Sequence, residues 1–225
     1  NRKIPHLYSP TSPSARTLCD ILKSCLMKKI FVLLMFTILL TSCKDDYEQE
    51  ELKAIEDVAN DYLKTNDLLL NPTKFFDDQV IAKPNIDSLD IKVYFSDALL
   101  PISQVKEDNE WMFTDNDFKK ASDSITFFSI LNSQTFKDLK FREFEKSKLK
   151  LERPYTQFKS SQTKFTADEE YRVLNFSRVC FDDKRENGVV VIEYLVGFES
   201  GTSSGYHNSL LIKKKNGKWT YVRRK

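Results

Sequence analysis

The chain has 225 residues, with 35 Lys or Arg set against 33 Asp or Glu and a formal net charge of +2. That balance lacks the basic excess that gathers nucleic acid, so no nucleic-acid partner is expected. Four Cys without metal-ligand spacing argue against a disulfide framework, a zinc site or another metal cofactor, while 17 Phe can fill a sizeable core.

Residues 1–26 begin at Asn1 and pass through a Pro- and Ser-rich stretch, Tyr8 to Ala15, with no apolar period. They read as upstream sequence or a misplaced start and are set aside from the fold. Met27 is followed by Lys28 and Lys29, then by an apolar run, Ile30 to Leu40, broken only by Thr37. The run has the length of a signal h-region and is too short for a hydrocarbon layer of about 30 Å. Leu40-Thr41-Ser42-Cys43 closes it. This order resembles a bacterial lipoprotein signal peptide over 27–42. The resemblance implies cleavage before Cys43, a diacylglycerol on its thiol and an acyl chain on the new amine. Two or more chains hold a protein stably on a bilayer, where one holds it marginally. Lys44-Asp45-Asp46 and the acidic run after it resemble the surface-export signal of Bacteroidota lipoproteins. That implies a lipid-anchored protein of the bacterial outer membrane, with residues 43–51 as an acidic tether.

Without residues 1–42 the chain loses six Lys or Arg and one Asp, which leaves a net charge of −3. Its length suits one domain, expected over 52–225. Leu52, Ile55, Ala59, Tyr62 and Leu63 recur at helical spacing and predict a helix from Glu48 to Asn66, with acids in the first turn. Asn71-Pro72 ends any continuation. Leu89, Ile91, Val93 and Phe95 alternate with polar neighbours and predict a strand. Thr114 and Asp117 have the spacing of a weak capping box that would open a second helix through Phe118, Ala121, Ile125 and Phe128. Phe141 to Leu151 fits a short helix or a strand.

The C-terminal part predicts strands throughout. Tyr171 to Phe181 alternates with one irregularity, and Glu186-Asn187-Gly188 makes a turn. Val189 to Phe198 is apolar enough to be central. Glu199 to Gly205 is a Gly/Ser connection, and Tyr206 to Lys213 a further strand. Asn216-Gly217 predicts a type I′ hairpin, because both central positions want positive φ. Lys218 to Arg223 completes a meander. Its Trp219 and Tyr221 share one face, either as a stacking platform for a glycan or, as the size of the domain favours, packed under helices. Phe176 to Phe181, Gly201-x-x-x-Gly205-Tyr206 and Leu210 to Trp219 resemble the C-terminal module of uncharacterised Bacteroidota envelope proteins. Those carry loop cysteines where this chain has Ser200-Gly201 and Ser204-Gly205. The resemblance implies a compact antiparallel sheet and no activity. The expected fold is therefore α+β: an N-terminal helix and a second helix packed on one face of an antiparallel sheet that ends in a C-terminal β-meander.

No metalloprotease, thiol-redox, phosphate-loop or nucleophile-elbow motif is present. Past residue 42 the one histidine is His207. A ligand-contacting loop would use Gly201, Ser203, Ser204, Gly205 and His207. The pairs Asp77-Asp78 and Asp182-Asp183 read as solvated acids. Cys180 reads as a small buried apolar residue. The expected function is a non-catalytic, membrane-anchored lipoprotein that binds a protein or glycan at the envelope. The alternative is an envelope hydrolase using His207 with a loop serine.

Overall fold

The computed structural model describes residues 46–67, 70, 85–114, 117–158, 171–197 and 203–223. The chain divides into two units, Asn1–Gln49 and Glu50–Lys225. Of the first, only the helical residues 46–49 are described.

Helix α1 covers residues 46–66. Ala54, Ile55, Val58, Ala59, Tyr62 and Leu63 form its buried stripe. Their spacing of one, three, one, three, one keeps them on a single helical face. The stripe is bracketed by two carboxylates, Glu51 and Asp67, both fully buried. Buried carboxylates persist where paired, and each of these meets an arginine. Glu51 accepts from Arg178 Nε at 2.8 Å, Arg142 Nη2 at 2.8 Å and the Val179 amide at 2.8 Å. Asp67 accepts twice from Arg172, at 2.9 and 3.1 Å. The expected tether, 43–51, and the expected helix, from Glu48, overlap. The helix expected from Glu48 begins two residues earlier, at 46, and Glu50 and Glu51 find cationic partners on the sheet.

The other elements follow in chain order. They are β1 (Ile91–Tyr94), β2 (Ala98–Leu99), α2 (Ile102–Asp108), α3 (Trp111–Thr114), α4 (Ala121–Leu131), α5 (Gln134–Asp138), β3 (Arg142–Glu143), β4 (Tyr155–Gln157), β5 (Tyr171–Phe176), β6 (Cys180–Phe181), β7 (Asn187–Gly197), β8 (Ser203–Lys215) and β9 (Lys218–Tyr221). The main sheet has the order β4-β1-β5-β7-β8-β9, with β6 also on β7. The class is α+β, and β5 to β9 form the expected antiparallel series. At the other end β1 lies parallel to both β4 and β5. A parallel neighbour needs a crossover connection. Residues 95–154 make one between β1 and β4, and α2 to α5 lie within it.

That crossover places helices on both faces of the sheet, where the sequence reading put both helices on one. On one face Ile102, Met112, Phe113, Phe127, Ile130 and Phe136 pack against Cys180, Val189, Val191 and Leu211. On the other, α1 meets the alternate residues: Tyr62 packs on Tyr194, and Asp57 accepts from the Trp219 amide at 2.9 Å. A central strand covered on both sides must be apolar on both sides. Residues 188–192 of β7 are accordingly all buried.

Several local expectations shift. α4 begins at Ala121 with no side-chain cap, and Thr114 ends α3 instead. Its buried face is Asp123, Phe127, Ile130 and Leu131, while Ile125 is 71% exposed. Both stripes have helical spacing, and packing against β7 chose between them. Phe141 to Leu151 holds a two-residue strand and a 3-10 turn at Lys146–Lys148. The irregularity between Tyr171 and Phe181 is a β-bulge. Phe176 faces Ile192 but Cys180 faces Val189, so four steps on one strand match three on the other. The bulge lies beside Arg178, which reaches Glu51. The turn before β7 lies at 183–186, where Arg185 has φ 52° and the Asp182 carboxylate accepts from the Glu186 and Asn187 amides. Gly188 is inside β7, where a Cβ would stand 3.0 Å from Phe181. Cys180 is fully buried, and that burial pushes its thiol pKa up to about 11.

Asn216 and Gly217 have φ of 52° and 77°, as a type I′ hairpin requires. Trp219 is 0% exposed and stacks on Phe181 with centroids 5.0 Å apart. Its indole donates to Glu50 at 2.6 Å. It is therefore a packing residue and no platform.

Candidate functional site

At the C-terminal end of α1 a cleft of about 620 Å³ opens between the helix and the sheet. Tyr62, Thr65 and Asn66 come from α1, Tyr206 and Asn208 from β8, and Tyr221 and Arg223 from the end of β9. Helical spacing puts Tyr62, Thr65 and Asn66 on one face. Strand alternation puts Tyr206 and Asn208 on the sheet face that looks at them. The Tyr62 ring is tilted against Tyr221 at 5.5 Å and 53°, and against Tyr206 at 6.4 Å and 51°. Asn66 donates to the Tyr221 hydroxyl at 3.1 Å and to the Tyr62 carbonyl at 3.0 Å.

Tyr62 is the unusual member. It is almost wholly buried, yet among the described residues its hydroxyl has no hydrogen-bond partner. Burial drives its pKa upward, and the neighbouring Tyr206 hydroxyl adds to the rise. Tyr206 and Asn208 lie near enough to act on its ionisation without reaching hydrogen-bond geometry. A buried unsatisfied hydroxyl costs about 1–3 kcal/mol. A ligand group or an ordered water entering the cleft would relieve that cost. Tyr206, itself 39% exposed, forms the wall on the open side.

The cleft runs along an incomplete sheet edge. β9 pairs with β8 only from Ile212 to Lys215, after which the Val222 amide donates to the Leu211 carbonyl at 2.8 Å. That bond shows that Leu211 directs its backbone polar groups away from β7. β7 and β8 stay in one unbroken register from Asn187↔Lys213 to Gly197↔Ser203. Alternation then turns the backbone groups of His207 and Gly205 outward as well. Among the described residues, no backbone group pairs with them there. The outer edge of β9 is treated differently, since Asp57 takes the Trp219 amide.

The residues singled out in the sequence fall elsewhere or beside this cleft. Cys43, Lys44, Asp45, Gly201 and the Asp77-Asp78 pair lie outside the described residues. Asp46 is an exposed helical residue. Ser203, Ser204 and Gly205 were read as loop. They belong to β8, because pairing with β7 continues to Gly197↔Ser203. Gly205 permits close strand contact: a Cβ there would stand 2.2 Å from the Tyr194 carbonyl oxygen. His207 projects from the opposite face to Tyr206, with 45% of its side chain exposed, and its Nε2 lies 3.2 Å from Glu193 Oε1. Glu193 also accepts from Asn175 at 2.7 Å. Ser204 is on the other face from His207. Ser203 is four residues away along extended chain, roughly 13 Å. The strand thus separates His207 from both loop serines.

Tyr62, Asn66 and Asn208 carried no separate signal in the sequence, and Tyr221 carried one only as the partner of Trp219 in a stacking platform. Tyr62 reads as an ordinary apolar-face position, and only the meeting of α1 with β8 and β9 brings these residues together. Among the described residues no group of three or more His, Cys, Asp or Glu is arranged to hold a metal ion. No helix there is long and apolar enough to cross a membrane. No family model, curated protein or solved structure matches this chain.

Proposed function

We propose that the protein is a non-catalytic lipoprotein, anchored in the bacterial outer membrane through lipid on Cys43, that binds an envelope protein or glycan in the Tyr62–Tyr206 cleft. The observation that carries the binding role is the buried Tyr62 hydroxyl, without a hydrogen bond among the described residues, in a cleft with aromatic and amide walls. Such a mixture of apolar lining and a few convergent polar groups is the usual make-up of a ligand site. The anchoring rests on the ordered lysines, apolar run and Leu40-Thr41-Ser42-Cys43 of the sequence. Glu50 to Asn66 spans about 24 Å of helix. The cleft stands at the C-terminal end of that helix.

The test is photocrosslinking in living cells, with benzoylphenylalanine placed at position 206 or, as a control, at exposed position 125. An adduct to an envelope protein or glycan at 206 and none at 125 is expected. No adduct at 206, or equal adducts at both, overturns the binding reading. Radiolabelled palmitate should enter the native chain and be absent from Cys43→Ala; equal labelling overturns the anchor.

A further inference from the structure

We propose that the outward edge of β8 at Gly205 and His207 docks an extended, acidic segment of a partner polypeptide, which joins the sheet as an added strand beside Tyr206. The proposal rests on the cleft being the binding site and names what enters it.

Three observations select this occupant. The first is the backbone. Gly205 and His207 present N–H and C=O groups on one edge, two residues apart, with no partner among the described residues. Alternating donors and acceptors at a two-residue repeat match another polypeptide strand. The position is the continuation of β9, which leaves β8 after Lys215↔Lys218 to Ile212↔Tyr221. Residues 203–210 also carry no Lys or Pro, the residues that commonly block an exposed edge.

The second is the shape of the aromatic wall. A sugar ring stacks on a flat aromatic face. Tyr62, Tyr206 and Tyr221 are tilted against one another by 51° and 53° and offer no common plane. Separate tilted rings suit alternate side chains of a strand, with a polar one reaching the Tyr62 hydroxyl.

The third is charge. Among the described residues Arg223 is the one charged side chain lining the cleft, and it donates to Thr65 at 3.3 Å. A carboxylate on the incoming strand would complement it. A second copy of this chain fits less well, because its own segment 203–210, Ser-Ser-Gly-Tyr-His-Asn-Ser-Leu, has no acid.

The experiment pans a random seven-residue peptide library on phage against the full chain in detergent. Affinities of the selected peptides are then measured by fluorescence anisotropy. Peptides without Pro, with β-branched residues and at least one acid, are expected. His207→Pro removes one outward N–H and no bond to β7. It should weaken binding about tenfold, as losing one hydrogen bond with added steric block would. Arg223→Gln should remove the preference for an acid. N-methylation along the peptide leaves the protein untouched, so it decides even if His207→Pro fails to fold. Methyl groups at one parity should abolish binding, and at the other parity should be tolerated.

No enriched peptide, binding that ignores N-methyl parity, or binding unchanged in a folded His207→Pro protein overturns the proposal. So does capture of an acidic oligosaccharide that competes with the peptides. In that last case a glycan adduct at position 206 would leave the cleft standing as a site while removing the added strand.

Discussion

The two halves of β8 belong to one strand and share one register with β7, yet they live in different surroundings. From Leu210 to Ile212 the strand is buried on both faces, and β9 closes its edge from Ile212 to Lys215. From Ser204 to Asn208 it is exposed. The first half has apolar residues on both faces, and the second has Ser, Gly, Tyr, His and Asn. The difference shows how one strand can serve two purposes. The buried half fixes position through packing. The open half inherits that position and presents it to solvent, much as a rigid scaffold carries functional residues.

The largest effect should come from the buried half's cover. Trp219 is fully buried, stacks on Phe181 and bonds to Glu50, while Lys214 Nζ sits 5.6 Å over its ring. Trp219→Ala removes that packing and should cost roughly 3–5 kcal/mol. Chemical denaturation of the chain lacking residues 1–43 should show the fall in midpoint. A midpoint equal to the parent's would mean that β9 does not hold this half in place, and the contrast between the halves would collapse.

A smaller effect belongs to the hairpin that sets where β9 begins. Gly217 has φ of 77°, and nothing lies within 4 Å of the place a Cβ would occupy. The penalty for Gly217→Val is thus one of backbone conformation alone, about 1–2 kcal/mol for a side chain forced to positive φ. A loss as large as that from Trp219→Ala would instead point to packing that the open surroundings of Gly217 do not provide.

The same contrast explains what the sequence disclosed. The buried half was legible, since alternation, the Asn216-Gly217 pair and the helical stripe of α1 are local patterns. The placing of Trp219 under the helix followed from them. Three features were not legible. The choice between two stripes on α4 depends on β7, which lies over fifty residues downstream. The parallel placement of β1 depends on a crossover whose short helices have weak local signals. The cleft arises only because Tyr62 and Tyr206, 144 positions apart in the sequence, are brought together. Polar exposed residues such as Asn208 carry no period that distinguishes a binding wall from plain surface. The Gly and Ser residues of the candidate ligand loop mark the place where the strand leaves the core, and the open edge starts there.

The smallest expected effect on stability is also the most informative about function. Tyr206 touches Tyr62 and Tyr194 at tilted angles, with centroids 6.4 and 5.8 Å away. Such ring pairs are worth about 0.5–1.5 kcal/mol each beyond area. Tyr206→Ser deletes both, but it also opens the Tyr62 hydroxyl to water and so relieves an unsatisfied group. The two contributions oppose each other, and a net loss of about 1 kcal/mol or less is expected, near the range of surface substitutions. Because the fold survives, any loss of ligand capture by Tyr206→Ser reads on the cleft itself. Denaturation and capture should be measured on the same preparation. A stability loss matching Trp219→Ala would show that Tyr206 is a structural pillar, and the open half of β8 would then be core like the other.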